Sequence, residues 1–496
     1  MFKKLWLLVI ILIIASFLRL HNFTELPPGL YPDEAMNGNN AVEAWENRDW
    51  KVFYPENHGR EGLFINIQSL FIAAFGNEPW VLRLPSAIFG ILTVWGLYLF
   101  TKELFADKKM ALLASFLLAT SFWHINFSRI GFRAIMAPFF LIWALYFLLL
   151  SYKSYKSYWS YFLSILAGLT YGLGFHSYIA YRVTPLLIIF IVYFYFKNYS
   201  NVLKNIRIVF LFFAIAAIVT IAPFGIYFYN HPQDFLGRTS SISIFNSETP
   251  VRDLGLNILK TTGMFNVFGD FNWRHNVAGR PLLFWPVGIF FLVGIISGAK
   301  SILRKSDLPN IENNNSRRSD FPKLPFVILF IWLFIALIPV VVSNEGLPHA
   351  LRSLLAVPPV FILAAIGGLK IYEFLKPKLS SCLLSVVVYV FCSLLLFESY
   401  VTYFITWGQN SNVKPAFAYN DSIIAQYLNS LPKETPKYIV VSDVKDKIER
   451  DNPISLQTIL FLTDTFTDKK RKEKNIYYIS SEKLEEVPGG AKIIYL

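Results

Sequence analysis

The stretch MFKKLWLLVIILIIASFLRL, residues 1–20, runs straight into HNFTELPPGLYPDEAMNGNNAVEAW, residues 21–45. Lys3 and Lys4 precede an apolar run, and two adjacent acids, Asp33 and Glu34, follow it. The run approaches the ~20 residues that a helix needs to cross a bilayer. No small-residue cleavage site ends it, so it reads as an uncleaved first membrane span and not as a removed leader.

The rest of the chain repeats the pattern. Of its 496 residues 54% are hydrophobic and 17% aromatic, the mean hydropathy is +0.45, and only 16% are charged. A soluble chain carries about a quarter charged residues, so the composition is that of a polytopic membrane protein. Apolar windows predict about eleven spans, near 5–20, 81–100, 110–127, 134–150, 159–177, 183–196, 207–229, 281–298, 324–342, 354–373 and 379–400.

The net charge of +13 alone would suit a nucleic-acid binder. The Lys and Arg residues instead fall in alternate loops, Thr101–Lys109, Ser151–Ser157, Lys197–Arg207, Lys300–Lys323 and Lys370–Lys378, which is the positive-inside pattern. Residues 21–80 carry Glu25, Asp33, Glu34, Glu43, Glu46, Asp49, Glu56, Glu61 and Glu78 against Arg48, Lys51 and Arg60, so this loop is expected outside and the N-terminus inside. An odd number of spans then places residues 401–496 outside too. That segment reads as a small α/β domain, with a helix near Asp421–Asn429 and strands YIVVSD, IYYIS and KIIYL. The expected division is thus a membrane domain over 1–400 and an extracytoplasmic domain over 401–496. Cys382 and Cys392 share one apolar run and fit neither a disulfide framework nor a metal motif.

Within the first outer loop, Ala35, Gly38, Val42 and Trp45 recur at helical spacing, as do Leu63, Ile67, Leu70 and Ala74. Each stripe predicts a helix lying on the membrane surface with its apolar side down. Asp33, after Pro32, stands where the first such helix begins. It reads either as an N-cap or as a general base toward an acceptor hydroxyl, and the two roles are compatible.

Further polar clusters sit at outer ends. YPENHGREGL places His58, Arg60 and Glu61 among glycines, a setting for phosphate binding or, with Asp33 and Glu34, for a divalent metal, against a plain solvated turn. SFWHINFSRIGFR places His124, Arg129 and Arg133 against the inside rule, where an anionic lipid phosphate is a natural partner and snorkelling the plain alternative. GFHSYIAYR supplies His176, Tyr178 and Arg182, and SNEGLPHALRS supplies His349 and Arg352. Together these loops outline one positively lined pocket with carboxylates at its rim.

The pieces LPPGLYPDEA, GREGLFINIQSLFIAAFG, FSRIGFRAIMAPFFLIWALYF, AGLTYGLGFHSYIAYRVTPL and LPHALRSLLAVPPVFILAAIG resemble the GT-C superfamily of membrane glycosyltransferases, in its family 39 and lipid A aminoarabinose transferase-like branch, with protein O-mannosyltransferases as relatives. The resemblance covers most of residues 10–370. It implies transfer of a sugar from a polyprenyl-phosphate donor to a lipid, glycan or protein acceptor at the outer face of a bacterial plasma membrane. It maps the catalytic aspartate onto Asp33 with Glu34 beside it, and donor-phosphate roles onto Arg129 and Arg352. The aspartate that mannosyltransferases carry after Ser-Arg is missing, since Ile130 to Pro138 contains no acid. Phosphate is already a good leaving group, so an inverting displacement with Asp33 as base and Arg129, Arg133 and Arg352 on the phosphate requires no cofactor, and a divalent metal is optional. A transporter or flippase of a lipid-linked sugar is the rival reading, but it would be expected to place its charges nearer mid-span.

Overall fold

A computed structural model describes residues 5–154, 157–198, 203–235, 243–304, 323–441, 447–449 and 452–496. The expected polar linker within 300–323 falls largely outside the described residues, as does part of the 197–207 loop.

Each segment expected to span is helical: α1 (Leu5–Leu20), α4 (Pro79–Phe105), α5 (Lys108–Ala119) with α6 (Phe122–Phe127), α7 (Met136–Lys153), α8 (Tyr158–Gly174), α9 (Thr184–Asn198), α10 (Leu203–Asn230), α12 (Trp285–Leu303), α13 (Leu324–Val341), α14 (Val357–Leu375) and α15 (Ser381–Tyr400). By length and composition, seven helices among the described residues are long and apolar enough to cross a membrane: Pro79–Phe105, Arg133–Lys153, Arg207–Asn230, Trp285–Leu303, Leu324–Val341, Leu354–Leu375 and Ser381–Trp407. α1, α5, α8 and α9 have 16, 12, 17 and 15 residues. The span expected over 110–127 is broken at Thr120 and Ser121, and at ~1.5 Å per residue α5 alone falls well short of the ~30 Å core. Two short helices precede α4, α2 (Pro32–Asn47) and α3 (Gly62–Phe75), and α11 (Pro250–Gly263), which the apolar windows did not predict, lies between α10 and α12.

Contacts divide the chain into two compact units, one of residues 1–19, 88–128 and 133–402 and the other of 20–87, 129–132 and 403–496. The first outer loop therefore groups with the C-terminal segment, a different division from the boundary at residue 400 expected above. The first unit holds most of the membrane helices. Its α12 and α14 meet backbone to backbone, because a Cβ on Gly294 would meet the Leu363 carbonyl oxygen and one on Gly367 that of Phe290. Small residues at a crossing are how helices pack closely where no hydrophobic effect drives them together. Gly367→Val should cost about 1–3 kcal/mol and lower the thermal unfolding midpoint of detergent-solubilised protein. Gly225→Val is the control, because nothing lies within 4 Å of a Cβ there.

The second unit is built on two cores. Leu30, Ala35, Ala41, Tyr54, Ile65, Ile72, Val81, Leu82 and Phe461 form the first, so residues from both ends of the chain fill it. The stripe Ala35, Gly38 and Val42 on α2 therefore faces protein and not lipid: a Cβ on Gly38 would lie 2.6 Å from the Phe461 ring. On α3 the expected stripe does face outward, with Leu70 54% exposed, while Phe64, Ile65, Gln68 and Ile72 turn inward. A two-residue antiparallel hairpin, β1 (Phe53–Tyr54) with β2 (Arg60–Glu61), joins α2 to α3. The second core, with Leu428, Ile439, Leu460 and Ile476, supports a parallel three-stranded sheet. Its central strand β3 (Lys437–Val441) is flanked by β4 (Ile476–Ser480) and β5 (Lys492–Tyr495), which match the runs read as strands except that β3 begins one residue earlier, at Lys437. The protein is a polytopic α-helical membrane protein carrying a small α/β C-terminal segment.

Candidate functional site

In the second unit, Pro32 occupies the first turn of α2, so the cap residue is Tyr31, and Asp33 sits inside the first turn instead of capping it. Among the described residues Asp33 has one hydrogen-bond partner, Asn57, whose Nδ2 donates to Oδ1 at 2.9 Å. Asn57, His58 and Gly59 all have positive φ, 51°, 62° and 88°, a tight turn that brings the amide back over α2. Asp33 is half-buried, and beyond the bond from Asn57 its carboxylate keeps further acceptor capacity.

Glu34 behaves oppositely. It is fully buried and clamped by Arg83, whose Nε and Nη2 donate to its two oxygens at 3.0 and 3.1 Å. The Gly131 amide donates to it at 2.6 Å and the Tyr31 amide at 3.4 Å. Arg83 also donates to the carbonyls of Pro27 and Gly29 at 2.7 and 2.8 Å. This bidentate pair ties α2, α4 and the 129–132 turn together. Two adjacent acids thus have separate situations, one accessible and one consumed by structure.

Arg60 is buried and turned toward α2, donating to Asn37 at 3.0 Å, Asn40 at 2.7 Å and Glu56 at 3.3 Å. Its proximity opposes, and burial drives, a rise of the Tyr54 phenol to about 12, which keeps that hydroxyl protonated. His58 is exposed at the turn, and Glu61 is buried at the start of α3. Arg129 is enclosed. Its guanidinium lies over the rings of Phe23, Tyr403 and Phe404 at 5.3, 5.0 and 5.2 Å and donates to the carbonyls of Asn22 and Leu26 at 3.1 and 2.9 Å. Tyr403 and Phe404 come from a widened π-turn over Val401–Trp407. Cation–π contact in a dry setting is worth about 2 kcal/mol, so the three rings help to hold the Arg129 guanidinium in place.

The first unit holds the other expected residues. His124 is buried against Arg19, whose Nη2 lies 2.7 Å from Nδ1 while Nε donates to Ser128 at 3.2 Å. Arg133 is half-buried with its guanidinium 5.8 Å from the centre of the Tyr178 ring. His176 Nε2 lies 2.9 Å from the Thr220 carbonyl oxygen. Arg182 donates to the Phe235 carbonyl at 3.0 Å and lies over Phe224, Phe228 and Phe235. Arg352 pairs with Glu345 at 2.5 Å and donates to Ser343.

His349 belongs to a cluster that sequence reading missed. Among the described residues, Asp270, His275 and His349 form the one group of three His, Cys, Asp or Glu side chains positioned to share a metal, their ligand atoms all within 4.8 Å. Asp33, Glu34, His58 and Glu61, the set expected above, do not form such a group, because Glu34 and Glu61 are drawn into the core. Asp270 Oδ2 accepts from His275 Nδ1 and from the Ala350 amide, each at 2.9 Å, and Oδ1 accepts from the Asn272 amide at 2.8 Å. With Nδ1 as donor, His275 presents Nε2 as an acceptor. Two imidazoles and a carboxylate are a donor set that suits zinc. Asp270 and His275 lie five residues apart in GDFNWRHN, a visible spacing, but His349 joins them only through the fold.

Comparison with known proteins supports the architecture. Residues 63–227 match the family profile described as dolichyl-phosphate-mannose-protein mannosyltransferase. A search of curated proteins finds no match. The fold is similar to that of ArnT from Cupriavidus metallidurans bound to undecaprenyl phosphate, with TM-score 0.57 and 13% identity over 99% of this chain and 93% of that one. It is also similar to the oligosaccharyltransferase AglB from Archaeoglobus fulgidus in complex with an inhibitory peptide and a dolichol-phosphate, with TM-score 0.54 and 16% identity over 98% of this chain and 70% of that one. The Archaeoglobus enzyme has also been solved in complex with Zn and sulfate, with TM-score 0.50 and 16% identity over 95% of this chain and 62% of that one. In fold, the chain is similar to these polytopic membrane proteins over nearly its whole length.

Proposed function

We propose that the protein is an inverting glycosyltransferase that moves a sugar from a polyprenyl-phosphate donor to an acceptor hydroxyl at the outer face of a bacterial plasma membrane. In this reading the N-terminus is cytoplasmic and residues 401–496 are extracytoplasmic. One observation carries the reading: Asp33 is presented at the first turn of α2 with a single amide holding it, beside a glutamate that is fully committed to structure.

The chemistry follows from that contrast. Asp33 accepts the acceptor hydroxyl's proton as its oxygen attacks the anomeric carbon. The bond from that carbon to the phosphate oxygen breaks, and the electron pair leaves with the lipid phosphate. Asn57 fixes the rotamer of the base, so the carboxylate need not reorganise when substrate arrives. Arg129, Arg133 and Arg352 are proposed for the donor phosphate on their charge and their places in the sequence. Whether the transferred sugar is a hexose or a pentose, and whether the acceptor is lipid, glycan or protein, is for a donor and acceptor panel to decide. Wild-type protein in native-lipid vesicles given labelled polyprenyl-phospho-sugars should release lipid phosphate in step with sugar transfer. Movement of an unchanged donor between leaflets would instead make the protein a flippase.

A divalent ion, where it takes part, would be held by Asp270, His275 and His349, and it would supply positive charge toward a phosphate oxygen. His275→Ala and His349→Ala should each weaken zinc binding, measured by mass spectrometry of purified protein dialysed against graded zinc, by more than the about 10- to 100-fold in affinity that losing an outer-shell partner costs. Equal metal content in all three proteins would leave the cluster a hydrogen-bonded brace.

A further inference from the structure

Among the described residues, the helix α11 carries a face that no protein contact covers. Its inward side is polar: Asn257 and Thr261 are buried, and Asn257 Nδ2 donates to the carbonyls of Val341 and Ser343 at 3.0 and 3.1 Å. This ties α11 to the C-terminal end of α13, one of the membrane-crossing helices. A second side, Val251, Gly255, Ile258, Leu259 and Thr262, follows the four- and seven-residue spacing of one helix face and points outward, with Val251 83% and Leu259 68% exposed. The third side holds Arg252, Asp253 and Lys260. Phe245 before the helix and Val267 and Phe271 after it are exposed as well.

We propose that α11 is an interfacial helix that docks its outward apolar stripe into the lipid headgroup and acyl boundary of the leaflet met by the end of α13. In the orientation proposed above this is the outer leaflet. Two things commit the occupant to lipid. The helix is fastened to the last turn of a spanning helix, which fixes it at the membrane surface. Arg252 borders the apolar stripe and Lys260 lies on the side away from it, so the helix offers lipid an apolar face with positive charge at its edge, which suits anionic headgroups. The chain leaving α11 is braced by the bond from the Leu282 amide to the Met264 carbonyl, 2.9 Å, and enters the loop carrying Asp270 and His275. Docking α11 therefore sets the depth of that cluster relative to the headgroups.

The test is independent of any turnover. In full-length protein with Cys382 and Cys392 replaced by alanine, a nitroxide is placed at Val251→Cys, Ile258→Cys, Leu259→Cys or, as reference on the exposed side away from the stripe, Lys260→Cys. Collision with oxygen and with a water-soluble nickel chelate is then measured in vesicles of phosphatidylethanolamine and phosphatidylglycerol. The ratio of oxygen to nickel accessibility should be several-fold higher at the three apolar positions than at Lys260. Ratios equal to that at Lys260 would show the stripe facing water, and protection from both reagents would show it covered by protein; either result overturns the proposal. Three independent positions keep the test intact if one variant misfolds.

Discussion

Asp33→Asn should lower the rate of sugar transfer by about 10²–10⁴-fold, the range that a positioned general base contributes, while protein yield and thermal unfolding stay at wild-type values. The substitution is nearly isosteric, and the Asn57 side chain can still donate to the new amide oxygen, so the first turn of α2 keeps its shape. What disappears is the ability to take a proton. Asn57→Ala should have a smaller effect, because it frees the rotamer of the base without removing it. Rates are measured as release of lipid phosphate from labelled donor. A wild-type rate in Asp33→Asn would remove Asp33 from the chemistry and return it to a role in the helix start.

Glu34→Ala should do the reverse and act on folding first. It leaves the Arg83 guanidinium buried without its carboxylate and strips an acceptor from the Gly131 amide. Removing one partner of a buried ion pair costs about 3–5 kcal/mol, a large part of the about 5–15 kcal/mol that holds a typical domain together. The readouts are recovery from the membrane fraction and the unfolding midpoint in detergent. Glu34→Gln, which keeps an acceptor oxygen against Arg83, should recover part of the loss. A stable Glu34→Ala protein with abolished transfer would instead make Glu34 a catalytic residue.

The difference between these two adjacent acids marks where sequence reading stops. Long apolar runs state their own conformation, which is why all the expected spans are helical and why the strands near Tyr438, Tyr477 and Ile493 were legible. Asp33 was legible as a candidate because an acid pair beside a membrane span is a local feature. The fate of Glu34 was not, because Arg83 lies 49 residues away and only packing brings it in. The enclosure of Arg129 is not legible for the same reason: the rings around it come partly from Tyr403 and Phe404. Of the two roles open to Asp33 the cap falls to another residue, since Pro32 starts α2 and Tyr31 caps it. The helix α11 escaped because its polar inward side gives no apolar run to find, and the Asp270 cluster escaped because His349 is contributed by a different loop.

The most direct test of the account is the anomeric configuration of the transferred sugar, read by NMR from product formed by wild-type protein with a donor of known configuration. A single base with its neighbouring carboxylate locked against Arg83 supports only one displacement, so the account predicts inversion. Retention would require a double displacement or a front-side attack at the anomeric carbon, and either would contradict the direct displacement built on Asp33.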